Sequence, residues 1–366
     1  MKTILHSYFA EICNTLQYKI PVKNMVNIIR SLLLLIVFIS FKAPGPLKQE
    51  LKNEAALKGV EQWFAAWELV CKEIYKIDTV KPVEFVFFDD TYIYSTSVVS
   101  IAEGELIEGP ELFKKKLAWK RALHNGKITL PDKQVVPVGL MSFASVLETG
   151  NKNSFFVMPL PEFWKAAGVQ SKELGLDNLV TGVFLHEFSH TQQMQNFGKK
   201  MTAYEQQYKF ETAFSDDIIQ DYFEKDSAYN AGFINEPALF YAAAANKNKT
   251  KLKTLTKQAI ENFRLRQNRY FTAGKTHFKE IDDFFLTMEG LGQFTMYVWL
   301  IHPKGGNIPA DIALKGVRRG GRSWSQEEGL ALFLILEKLS KPERWCKLMF
   351  GNKTESVIEL ITAKIK

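Results

Sequence analysis

The sequence predicts an α+β fold that is predominantly helical, with a small mixed sheet in its first half and a helical C-terminal half. Three observations predict it. Short aromatic and β-branched runs, the mark of strands, cluster between residues 83 and 160. An apolar stretch from Leu179 to Phe197 then carries Leu179, Val180, Val183, Phe184 and Phe188 on one helical face. Beyond it nearly every segment has helical periodicity. A hydrophobic content of 46% with 24% charge is that of an ordinary globular protein.

The N-terminus reads as something other than fold. Ser31 to Phe41 is an apolar run, preceded by Arg30 and followed by Lys42-Ala43-Pro44-Gly45. It is short for a membrane span and has the length of a secretory core, and Met25 opens a short basic segment ahead of it. The expectation is an N-terminal extension and export signal over residues 1–43, or an uncleaved anchor through residues 31–41. Residues 44–366 would form one domain in an exported, periplasmic or extracellular setting, with residues 44–200 bearing the sheet and 201–366 helical.

Along that domain, residues 47–77 read as an amphipathic helix burying Leu57, Val60, Trp63, Phe64, Trp67, Val70, Cys71 and Ile74. Strands are expected at 83–88, 92–94, 128–130, 135–138 and 155–160. Helices are expected at 210–223, 238–246, 252–270, 283–300 and 326–339. Gly305-Gly306, Gly316 and Gly320-Gly321 suggest a long flexible connection between the last two.

His186-Glu187-Phe188-Ser189-His190 carries the chemistry. Histidines four apart share one helix face, so both imidazoles reach a single Zn²⁺ while Glu187 is placed to act as a general base. Asp177 or Asn178 would cap this helix and Gly198 would stop it. Apart from Glu187 and the two histidines the segment is uncharged, which buries the motif. The alternative is a core helix holding two hydrogen-bonded histidines.

A catalytic zinc site normally takes three protein ligands. No histidine lies between Gln192 and Lys200, so the third ligand must come from a later element. Glu289 is the leading candidate. It is the one charged residue in FFLTMEGLGQFTMYVWLI (residues 284–301), and a lone buried carboxylate needs a cation. An arginine among Arg264, Arg266, Arg269, Arg318, Arg319 and Arg322 would serve instead. Asp282 and Asp283 would suit the N-terminus of that helix. Glu236 is the alternative third ligand, although Pro237 after it favours a helix start there and makes Glu236 a cap or substrate contact.

The pairing of HEFSH with the later FFLTMEGLGQF resembles the gluzincin zinc metallopeptidases, the aminopeptidase N-like and peptidase MA-like groups. There the third ligand is the Glu of segments such as W-L-N-E-G-F-A. The resemblance covers about 40 residues in two blocks and implies ligand roles for His186, His190 and Glu289 and the general-base role for Glu187. It also implies a zincin plan, with the cleft between the sheet-bearing and helical halves and residues 155–160 as the sheet-edge strand that pairs with substrate. The expected activity is hydrolysis of peptide bonds in a peptide or protein substrate. Departures are the long separation of the two blocks, the absence of a G-x-M-E-N segment, and Gln293 where some relatives place an orienting Asp. A donor to the oxyanion is sought among Tyr222, His277, Tyr297 and His302. The competing class is a secreted binding or scaffold protein that keeps a structural zinc helix.

Charge and cysteine usage exclude other classes. The net charge is +7, but residues 1–43 hold five of the 47 Lys and Arg and one of the 40 Asp and Glu, leaving 42 against 39, or +3. The short basic runs at 114–121 and 318–322 then read as solvated faces, and no nucleic-acid partner is expected. Beyond Cys13, only Cys71 and Cys346 remain, too few for a disulfide framework.

Overall fold

A computed structural model describes residues 46–147 and 154–366. The expected extension and export segment, residues 1–43, lies outside the described residues. The chain is α+β and mostly helical, with a small mixed sheet ahead of the motif helix.

Helix α1 (Pro46–Leu69) runs into a π-helical turn, Val70–Tyr75, which ends at Lys76 in the left-handed region. Strands β1 (Val83–Phe88), β2 (Tyr92–Ser95), β3 (Glu105–Ile107), β4 (Trp119–Leu123), β5 (Lys127–Thr129), β6 (Val135–Pro137), β7 (Phe143–Val146) and β8 (Ser154–Pro159) follow. A short α2 (Pro161–Ala166) leads to the motif helix α3 (Leu176–Gln193), extended by a π-helical turn over Met194–Gly198. The second half comprises α4 (Lys199–Gln207), α5 (Ile218–Phe223), α6 (Ser227–Ala245), α7 (Lys249–Tyr270), α8 (Phe278–Ile301), α9 (Ala310–Val317), α10 (Trp324–Leu339), α11 (Pro342–Met349) and α12 (Val357–Ile365).

The main sheet has the order β3-β4-β2-β1-β8-β7, with β1 and β8 parallel and the other neighbours antiparallel. Residues 155–160 were expected at the sheet edge. The strand there, β8, is instead internal, and the edge is β7. The run SFFVMP explains why: an edge strand has one face or flank to give to water, and this one is apolar on both faces. Phe156 and Met158, with Phe85 and Phe87 of β1, meet α1 and α3 in one core. Phe155 and Val157, with Val86 and Phe88, meet Ile128, Leu130 and Val136 of the β5–β6 hairpin in another. Aromatic stacking fixes the motif helix on the sheet: Phe184 and Phe188 stack on each other at 5.2 Å, and Phe184 stacks on Trp63 at 5.4 Å.

Helix α8 is buried along its whole middle and packs between α3 and α10. Its glycines allow that. A Cβ on Gly290 would lie 2.5 Å from the carbonyl carbon of Gly329 in α10. Any side chain there would force the helices apart.

Several expectations about the helical half are corrected. Asp282 and Asp283 lie inside α8, which starts at Phe278, and they face Arg266 and Arg264. Glu236 is not a cap either. Helix α6 begins at Ser227, where the carboxylate of Asp226 accepts the N–H groups of Ala228 and Tyr229. That two-donor cap decides the helix start, and stacking of Phe233 on Trp324 at 4.1 Å holds the turn that Pro237 weakens. The connection before α10 contains a helix of its own, α9, anchored by buried Ala313 and Val317. Of the residues expected as helix 210–223, only Ile218–Phe223 is helical, because Phe210 and Phe214 stack on each other at 4.8 Å from an irregular turn.

Arg266 of α7 ties four helices together. Its guanidinium meets Glu236 of α6 at 2.8 Å, Asp282 of α8 at 3.3 Å and Glu328 of α10 at 3.7 Å, all buried. Burial pushes Glu328 well above the usual carboxylate range, so it holds a proton beside Glu236, and removing the cation leaves the remaining buried negative charge of the cluster uncompensated. Arg266→Ala is expected to lower the unfolding free energy by about 3–5 kcal/mol in urea titrations at neutral pH. A change under about 1 kcal/mol would show the cluster to be peripheral to stability.

Candidate metal centre

The geometry of the motif helix follows from its sequence. Gly175, with φ 73°, takes the N-cap position instead of Asp177 or Asn178, because the chain enters α3 in a conformation that glycine alone adopts freely. Phe184 and Phe188 then face the sheet, which turns His186 and His190 toward α8. The two imidazole rings lie 4.9 Å apart, nearly perpendicular.

Glu289 of α8 meets both. His186 Nε2 is 3.0 Å from Oε2 and His190 Nε2 is 3.3 Å from Oε1. Glycine makes the approach: a Cβ on Gly292, one turn along α8, would sit 2.7 Å from the His186 ring. Glu289 thus joins the two histidines, while Arg264 pairs with Asp283, Arg266 with Glu236 and Arg318 with Glu327, and Arg319 reaches it through Gln326. Glu236 belongs to the Arg266 cluster and not to this one. The donor atoms of His186, Glu187 and His190 lie within 4.8 Å of one another, a buried cluster that could hold a metal ion.

The donor set fits a divalent ion. Two imidazole nitrogens and a carboxylate are the ligand types that a divalent ion such as Zn²⁺ takes, and here both nitrogens lie within 3.3 Å of the carboxylate across the two helices. The ring nitrogen away from Glu289 supports the same reading. His190 Nδ1 lies 3.3 Å from Gln193 Oε1, a contact that orients the ring with Nε2 toward Glu289, where a cation or a proton can lie between them.

In the absence of an ion a proton fills that place. Burial works against a charged His190, but the Glu289 and Glu187 carboxylates outweigh it and raise its pKa to about 9. Burial lowers His186 to about 4 against the pull of Glu289. Glu289 is held well below the usual carboxylate range by the His190 charge and by hydrogen bonds from both imidazoles, which overcome its burial. Glu187 is pushed well up by burial.

These groups form one wall of a cleft between the sheet edge and the helical half. Met141, Phe143, Val146, Met194, Phe285 and Met288 give it an apolar lining, with Glu187, His190 and Glu289 at the polar end. None of the four expected oxyanion donors lines it. His277 stacks on Tyr208 at 4.0 Å, His302 pairs with Glu73 at 3.2 Å, Tyr222 accepts the Glu211 N–H, and Tyr297 is buried on α8. Sequence reasoning missed Gln326, whose Nε2 donates to Glu289 Oε2 at 3.3 Å, because nothing in its local pattern points to an acid on another helix. No family model, curated protein or solved structure matches the chain.

The pH dependence of the metal-free protein follows with a definite sign. His190 has a folded pKa raised above its unfolded value of about 6.5, so its contribution to stability is complete below that pH and lost on the way to about 9. Glu187, raised by burial, changes stability in the same direction. The unfolding free energy of metal-free protein is expected to fall between about pH 6.5 and 9, by about 1.4 kcal/mol per pH unit for each proton involved. Saturating Zn²⁺ should flatten the profile, and identical urea-midpoint profiles with and without the ion would contradict the assignment.

Proposed function

We propose that the chain is a zinc-dependent hydrolase, most simply a peptidase of gluzincin-like design acting outside the cytoplasm. The observation that carries the reading is the contact of Glu289 with both motif histidines, at 3.0 and 3.3 Å, beside Glu187 at the head of an apolar cleft. His186, His190 and Glu289 would hold the ion. When bound, zinc supplies Lewis acidity to a substrate carbonyl and brings the ionisation of water toward neutral pH.

The chain's own groups account for the rest. The Glu187 carboxylate takes a proton from the attacking water and passes it to the leaving amine. An ion held beside it would favour the carboxylate that accepts this proton, while its burial favours the protonated form held between the two transfers. Strand β7 has its outer edge open to the cleft, where an extended peptide adds its backbone as a further strand while its side chains enter the apolar lining. The order of sheet, motif helix and helical half agrees with the zincin plan.

A second reading, a non-catalytic binding protein that keeps a structural ion, is favoured by one observation: among the described residues no tyrosine lines the cleft, and His190 is its one histidine. One comparison separates the two. Purified wild type should carry close to one equivalent of zinc and cleave members of a peptide library. Glu187→Gln should keep the zinc and lose about 10²–10⁴-fold in rate. Zinc retained by both with cleavage by neither would favour the binding protein, and equal cleavage by both would end the proposed role of Glu187.

A further inference from the structure

A glutamate that ligates through one oxygen per neighbour must be held in rotation, because its terminal torsion is broad and weakly restrained on its own. Histidines on one side of Glu289 do not settle that rotation. The other side does. Gln326, fully buried in the first turn of α10, donates its Nε2 to Glu289 Oε2, the same oxygen that faces His186. The Gln326 amide cannot turn over. Its Oε1 accepts two donors, Gln293 Nε2 at 2.5 Å and Arg319 Nε at 2.7 Å, so the NH₂ end must point at the carboxylate.

Arg319 is itself held. Its backbone N–H and that of Gly320 donate to Glu327 Oε2 at 2.7 and 3.1 Å, while Arg318 donates Nε and Nη2 to Glu327 Oε1 at 2.8 and 2.6 Å. Gly320 and Gly321 both take left-handed φ, of 59° and 86°, which lets the loop turn tightly over the start of α10. Glu327 is the neighbour of Gln326. The loop clamp and the amide relay are therefore adjacent residues of one helical turn.

We infer that Arg319, acting through Gln326, is the positioning residue for Glu289, and that this relay makes Glu289 a preformed third ligand presented from outside the motif helix. The inference rests on the metal-centre reading above. Arg319 is a cationic donor, which strengthens its bond to the amide oxygen and polarises the amide toward Glu289. It brings the set orientation of a buried ligand under the control of a surface loop.

The test measures Co²⁺ affinity and the Co²⁺ visible spectrum of the full chain, comparing wild type with Arg319→Met, Gln326→Leu and the double variant. Gln326→Leu should weaken binding about 10–100-fold, and Arg319→Met about 10-fold, each with an altered spectrum because the carboxylate is no longer held. The double variant should fall well short of the sum of the two single losses, since the hydrogen-bonded link from Arg319 to Glu289 runs through the amide. Arg319→Met lies on a half-exposed loop and keeps the test decisive if Gln326→Leu does not fold. Full affinity with an unchanged spectrum in Arg319→Met, or additive losses in the double variant, would overturn the relay. No Co²⁺ or Zn²⁺ binding by wild type would overturn the metal centre and the relay with it.

Discussion

One buried carboxylate governs the architecture around the site. Glu289 sits buried in the middle of a helix that carries no other charge from Phe284 to Ile301, and an uncompensated charge there would cost several kcal/mol. Its partners must therefore come from other helices, within hydrogen-bond reach. That requirement brings α3 against α8 closely enough that the His186 ring occupies the space over Gly292. It also brings α10 against α8, where Gly290 meets Gly329. The glycines of MEGLGQF let two helices approach the turn that carries the acid, one from each side.

The contrast with the Arg266 cluster sharpens the point. Both are buried polar groups at helix crossings, and both centre on carboxylates. In the Arg266 cluster the protein supplies a permanent cation, a guanidinium within 3.7 Å of three acids. Around Glu289 the direct contacts are two imidazoles and an amide. The only charge those contacts can supply is a proton on His190, and a divalent ion can take its place. The proposed metal centre would use that exchangeable position.

The sequence made the site legible where the periodicity was local, and not where it was tertiary. His186, Glu187 and His190 lie within one helical turn and a bit, so spacing alone puts the histidines on one face. Glu289 could be found because a single charge in a long apolar run needs a partner. Gln326 and Arg319 carry no such signal. A glutamine in a first turn and an arginine between glycines look like a cap and a solvated loop until α8 is placed beside them. The same limit explains the sheet. Strands rich in Phe and Val were readable, whereas β3 (ELI), β4 (WKRAL) and β7 (FASV) are short or polar and exist because β4, β2 and β8 respectively pair with them. Which strand forms the edge is decided by apolarity on both faces of β8, a property of the sheet more than of the segment.

The two glutamates of the site show how environment divides roles between identical side chains. Glu289 faces the charge of His190 and receives hydrogen bonds from both imidazoles, and these outweigh its burial and keep it ionised. Glu187, on the motif helix itself, is as deeply buried, and desolvation dominates, so its neutral form is favoured. On the proposed reading, a permanent carboxylate suits the ligand role of Glu289, and a carboxyl that readily holds a proton suits the part of Glu187 between the two transfers. If the two were exchanged, each would be wrong for its place: an acid held ionised by two imidazoles returns a proton poorly, and one held neutral by its surroundings ligates poorly. The division follows from which carboxyl meets both imidazoles, and the close approach of Gly292 to the His186 ring allows that contact.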